Sequence, residues 1–152
     1  MERIFVRDML VPSVLKDYDA FGHCCNCFNT MGAGFARVAA EQFPELYAAD
    51  QATERGDMDK LGSYSKASIV RPEFSIVGYN LYGQYAYSRY KPMLDYEALR
   101  LSLEALNEDM KGRRVLLPAI GGGLAGGSPL LIMRIAEEAL KDRNATMCFL
   151  KV

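Results

Sequence analysis

The chain has a single histidine, almost no net charge and no apolar run long enough to span a bilayer. A net charge of −1 at pH 7 excludes a global basic field of the kind that draws a protein to nucleic acid or membrane. Neither direct nucleic-acid binding nor membrane association is expected, whereas a nucleotide held by backbone amides stays compatible with that charge. The N-terminus carries no signal-peptide pattern, because Glu2, Arg3, Arg7 and Asp8 interrupt any apolar stretch, so a cytoplasmic location is expected. A convincing metal cluster is also missing. His23 with Cys24, Cys25 and Cys27 is the candidate, but residues on one strand alternate between faces and cannot converge tetrahedrally. No metal and no cofactor are expected. Near neighbours on a strand make poor disulfides, so these cysteines and Cys148 are read as thiols of a reducing compartment. No linker, repeat or low-complexity stretch divides the 152 residues, which are read as one domain, 1–152, expected to be a monomer.

Half the residues are hydrophobic, and their spacing alternates between strand and helix periods. Strands are expected at Arg3 to Val6, Tyr18 to Asn26, Lys66 to Val70, Phe74 to Tyr82, Val115 to Leu117 and Thr146 to Val152. Asp8-Met9-Leu10 leads into a loop at Pro12. Gly34 to Gln42 reads as a helix with a stripe at Phe35, Val38, Ala39 and Phe43. Pro44 opens another, with Leu46 and Tyr47 inward and Gly56 ending it. A long helix runs from about Asp95 to Met110 on Leu99, Leu103 and Leu106. Ser128 caps a last helix with Pro129 in its first turn, and Leu131, Ile132, Ile135, Ala136 and Leu140 face the core. Tyr82, Tyr85, Tyr87 and Tyr90 fit either exposed loop tyrosines or the lining of a sugar or base site. The class is α/β, with a mixed central sheet covered by helices on both faces.

Two glycine-rich loops carry the functional signal. The first is Asn29-Thr30-Met31-Gly32-Ala33-Gly34-Phe35-Ala36, and the second is Pro118-Ala119-Ile120-Gly121-Gly122-Gly123-Leu124-Ala125-Gly126-Gly127. Each follows a strand and leads into a helix, where backbone N–H groups and the positive end of the helix dipole suit phosphate. Either loop alone can equally be a tight strand-to-helix turn. A pair of them suggests a clamp on a diphosphate. Neither matches a Walker A loop or the Rossmann fingerprint.

The string from His23 to Ala36 resembles the first ligand loop of macrodomains, especially the branch holding ADP-ribose 1''-phosphate phosphatases and ADP-ribosyl-glutamate hydrolases. Pro118 to Gly127 is similar to that branch's diphosphate loop, and Asn80-Leu81-Tyr82-Gly83-Gln84 falls where it keeps residues near the distal ribose. The resemblance covers nearly the whole chain. It implies a three-layer α/β/α fold and ADP-ribose or ADP-ribose 1''-phosphate as the small-molecule partner. It also implies a set of contacts. Asp8, followed by Met9, would accept from the adenine amino group. Asn26 and Asn29 would hold ribose hydroxyls. Gly32, Ala33, Gly34 and Phe35 would meet the phosphates together with Gly121, Gly122, Gly123, Leu124 and Ala125, Met31 and Ile120 would be further ligand contacts, and Gln84 would lie near the ribose.

The catalytic equipment departs from the hydrolase pattern. Gln84 falls near the lysine that attacks the distal ribose there, and Ala125 stands where an aspartate assists. Neither can act as nucleophile or base. His23 matches a histidine of the phosphatase-like relatives, and an ordinary histidine titrates near neutral pH. The function expected is ADP-ribose binding with hydrolysis of ADP-ribose 1''-phosphate, using His23 and Asn29 as catalytic residues. A non-catalytic reader is the alternative, and a de-ADP-ribosylating hydrolase ranks behind both.

Overall fold

A computed structural model describes residues 1–87, 93–119, 127–141 and 144–150. Strand β1 is Glu2–Val6, β2 Ala20–Cys24, β3 Tyr64–Val70, β4 Ser75–Leu81, β5 Val115–Pro118 and β6 Ala145–Leu150. Helix α1 is Pro12–Leu15, α2 Gly34–Gln42, α3 Pro44–Gln51, α4 Tyr96–Asp109 and α5 Pro129–Ala139, with a 3-10 turn at Met58–Lys60. The strands form one six-stranded sheet in the order β1-β6-β5-β2-β4-β3. All neighbours pair parallel except β3, which forms an antiparallel hairpin with β4. The expected mixed sheet is therefore observed, and the parallel part sends every strand's C-terminus to one edge.

The layers follow from strand alternation. Tyr79, Leu81, Val115 and Leu117 pack with Leu99, Leu103 and Leu106 of α4 and with Ile132, Ile135 and Ala136 of α5. Phe21, Ile76, Leu116 and Cys148 pack on the other face with Leu15, Ala39 and Leu46 from α1, α2 and α3 and with Phe43 at the α2–α3 junction. Each such leucine buried contributes about 1.5–3 kcal/mol. Among the described residues no helix is long and apolar enough to cross a membrane.

Several local expectations need correction. The loop expected at Pro12 is helix α1, with proline tolerated in its first turn. Strand β2 ends at Cys24, not Asn26, because the Asn26 Oδ1 accepts from the Phe28 N–H at 2.8 Å and turns the chain out of the sheet. Helix α3 ends at Gln51, well before Gly56. Val38, Tyr47 and Leu131 are exposed. Each sits one residue, or about 100° of helix, away from a fully buried neighbour: Ala39, Leu46 and Ile132. Tyr82 is buried and Tyr87 exposed, while Tyr90 lies outside the described residues.

Candidate functional site

The C-terminal edge of the parallel strands gathers the Asp8 segment and the first glycine loop. Asp8 follows β1, the first glycine loop follows β2 and the second follows β5. Met9 and Leu10 share one buried cluster with Met31, against which Phe35 and Ala36 pack. The Asp8 segment and the first loop therefore converge on the same apolar floor. Asp8 itself is exposed, and its Oδ1 accepts from the Leu10 N–H at 2.9 Å. Gly32, Ala33 and Gly34 are exposed above Met31. Gly34 has φ 59°, a left-handed backbone that side-chain-bearing residues rarely adopt. Helix α2 begins there with Ala33 as N-cap and no side-chain cap hydrogen bond. The first-turn amides are left without a capping side chain, as an anion site requires. Ile120, Gly121, Gly122, Gly123, Leu124 and Ala125 lie outside the described residues.

The two asparagines are engaged within the protein. Asn26 donates from Nδ2 to the Thr30 Oγ1 at 2.8 Å and closes the turn with Phe28. Asn29 has φ 58°, donates from Nδ2 to the Thr53 carbonyl at 2.8 Å and accepts at Oδ1 from Lys60 Nζ at 2.6 Å. Gln84 is buried, with Nε2 donating to the Ala86 carbonyl at 2.9 Å and Oε1 facing the Cys24 thiol at 3.8 Å.

His23 lies in the sheet with 1% of its surface exposed. It faces Asn80 in the β2–β4 register, and Asn80 faces Ser65 in the β3–β4 register. Asn80 Nδ2 donates to Ser65 Oγ at 3.0 Å and to the Leu46 carbonyl at 3.1 Å. Its Oδ1 is thus the atom 2.7 Å from His23 Nε2, so Nε2 carries the proton. Burial lowers the histidine's pKa to about 4, against a smaller upward pull from Asn80. The expectation that His23 titrates near neutral pH is corrected: a desolvated ring with one acceptor stays neutral there. The cysteines are free thiols. Burial pushes Cys24 up to about 12 and Cys27 up to about 11, and raises Cys25 well above the ordinary thiol range. Thiolate chemistry at neutral pH is disfavoured at all three positions.

Beneath the first loop lies a polar group that the sequence reading missed. Tyr82 donates to Asp50 Oδ1 at 2.7 Å and meets Ser65 Oγ at 2.8 Å. Asp50 is 1% exposed, and burial raises its pKa against the pull of Tyr82 and Lys60. One signal was available: Asp50 stands four residues after Leu46, on the buried stripe of α3. Lys60 gave none, since Glu54, Arg55, Asp57 and Asp59 make its surroundings read as a solvated loop.

This strand order, helices on both faces and loops gathered at the parallel edge define a three-layer α/β/α domain. No protein-family model matches the chain. It is 36% identical over 111 residues, 70% of each chain, to the uncharacterized 17.5 kDa protein in the tk-vs intergenic region of Enterobacteria phage T4, and shares that protein's family. A macrodomain protein from Streptomyces coelicolor superposes with a TM-score of 0.72 at 25% identity, covering 99% of both chains. Thermosipho africanus DarTG, solved in complex with ADP-ribose, superposes with a TM-score of 0.69 at 16% identity over 90% of this chain and 39% of that longer one. The chain therefore has the macrodomain fold.

Proposed function

We propose that this protein binds ADP-ribose at the C-terminal edge of the sheet. The carrying observation is the convergence of the Asp8 turn with the uncapped N-terminus of α2 over a shared floor of Met9, Leu10 and Met31. A carboxylate at one end and open amides at the other suit an adenine amino group and a diphosphate, respectively. The relative from Thermosipho africanus in complex with ADP-ribose supports the same ligand. The β5 loop, Ile120 to Ala125, would supply further phosphate contacts on the strength of its resemblance alone.

Titration calorimetry is expected to give 1:1 binding of ADP-ribose and weaker binding of ADP, which lacks the distal ribose. A folded sample giving no heat at millimolar ADP-ribose would refute the proposal. Asp8→Ala is expected to weaken ADP-ribose at least about tenfold, the value of a charge-assisted hydrogen bond of about 1.5–3 kcal/mol. It should also narrow the preference over the inosine analogue. If the wild type binds both analogues equally, Asp8 does not read the amino group.

The finer reading is hydrolysis of ADP-ribose 1''-phosphate, and it rests on the branch resemblance. A neutral His23 bonded to Asn80 and an Asn29 tied to Lys60 and Thr53 are poor candidates for proton transfer. The geometry therefore favours a reader over a phosphatase that uses these two residues. Phosphate release from ADP-ribose 1''-phosphate by wild type, His23→Ala and Asn29→Ala separates the readings. Turnover that falls about 10²–10⁴-fold in either variant, with ADP-ribose affinity kept, restores that residue as catalytic.

A further inference from the structure

The ammonium of Lys60 is buried, and no carboxylate lies within ion-pair distance of it among the described residues. Lys60 is 8% exposed, and a buried cation persists only where its donors are met. Its Nζ donates to the Cys27 carbonyl at 2.9 Å and to Asn29 Oδ1 at 2.6 Å, and lies 5.1 Å over the Tyr82 ring. The Cys27 carbonyl also accepts from the Gly56 N–H at 2.7 Å. Gln51 Nε2 donates to the Asn29 carbonyl at 2.7 Å, and Asn29 Nδ2 donates to Thr53. Asn29 is thus gripped on its carbonyl, its amide nitrogen and its amide oxygen by one segment, 51–60. It is the one non-glycine residue at positive φ among those described. A left-handed asparagine is strained enough to need holding, and it directly precedes the turn that buries Met31 and presents Gly32 to Phe35.

We propose that Lys60 is a positioning residue for the ligand: its ammonium pins Asn29 in the left-handed conformation and so presets the first glycine loop. This inference rests on the ADP-ribose reading for its functional arm. The side chain does not touch ligand; it acts through Asn29 and the Cys27 carbonyl. Asp50 lies close enough for Lys60 to pull down its pKa, and its Oδ2 is buried with no hydrogen-bond partner among the described residues.

Lys60→Met keeps an unbranched apolar stem, one atom shorter, and removes the donors. Two measurements are made on it. The first is amide hydrogen exchange without ligand. Faster exchange, by about tenfold or more, is expected at Cys27, Phe28 and Gly56, whose amides are bonded in or to the loop, beyond any change shared by β4 and β5. The second is calorimetry with ADP-ribose and AMP. ADP-ribose affinity should fall at least about tenfold and AMP affinity less. In an Asn29→Gly background, where glycine adopts positive φ freely, the Lys60→Met penalty should shrink. Lys60→Gln, uncharged but still a donor, is measured in the same way should the methionine variant not fold. Uniform acceleration across the sheet, wild-type exchange in the loop, equal loss of both nucleotides, or additivity with Asn29→Gly would each overturn the proposal. If the wild type itself fails to bind ADP-ribose, the functional proposal falls, and the exchange measurement alone decides whether Lys60 sets the loop.

Discussion

Asn80→Ala is expected to destabilise the protein by about 3–5 kcal/mol, the upper end of single-residue effects. Asn80 is fully buried in β4 and uses both ends of its amide. Truncation removes the acceptor of His23 Nε2–H and the donor to Ser65 Oγ and the Leu46 carbonyl at one stroke. The His23 N–H loses its close acceptor, Ser65 Oγ keeps Tyr82, and a buried group left without a partner costs about 1–3 kcal/mol because water cannot replace it, with the cavity of the lost amide adding to this. Urea unfolding at pH 7.5, with the transition midpoint and slope both fitted, measures the loss. A change below about 1 kcal/mol would mean that water enters the row of Ser65, Asn80 and His23 and satisfies it.

Stability is expected to fall as the pH drops from about 6.5 toward 4, with His23 the main cause. Its pKa is ordinary in the unfolded chain and about 4 in the folded one. Between those values the unfolded chain binds the proton and the folded chain does not, so acid favours unfolding. The full stabilisation is present above the unfolded pKa and is lost as the pH falls toward the folded one. The shift amounts to roughly 3 kcal/mol overall and about 2 kcal/mol by pH 5. Asp50 works in the opposite sense, since its raised pKa lets the folded state take up a proton more readily. Glu45 and Asp109, both held below their ordinary values by Arg71 and Lys66, lose their contributions only at lower pH. His23→Gln keeps a donor for Asn80 without a titrating ring. Unfolding at pH 7.5 and pH 5 should therefore show a marked drop for wild type and a small one for the variant. Equal drops would place the acid sensitivity elsewhere.

The fold was legible where local pattern and tertiary contact agree. Leu99, Leu103 and Leu106 announce the buried side of α4, and the unbroken Val115-Leu116-Leu117 announces a strand covered on both faces, since burial selects apolar residues at the period of the backbone. Pattern failed at single residues beside a stripe, as at Val38, Tyr47 and Leu131, because a short helix repeats its face too few times to mark its limits. The candidate ligand edge was legible in part for a different reason: Gly32 and Gly34 are written as glycine whatever surrounds them, and both sit at the start of α2, whereas Gly121 to Gly123 lie outside the described residues.

By itself the amino-acid sequence determined the alternation of strands and helices, the mixed sheet, the first glycine loop and the fold to which they point. Those features depend on neighbours in the chain. Only the tertiary structure decided the state of the polar residues beneath the site. His23, Ser65 and Asn80 meet because three strands align in one register, and Lys60 meets Asn29 because segment 51–60 folds back under the loop. The proton of His23, the burial of Asp50 and the grip on Asn29 are consequences of desolvation and of partners distant in sequence, which no local spacing records.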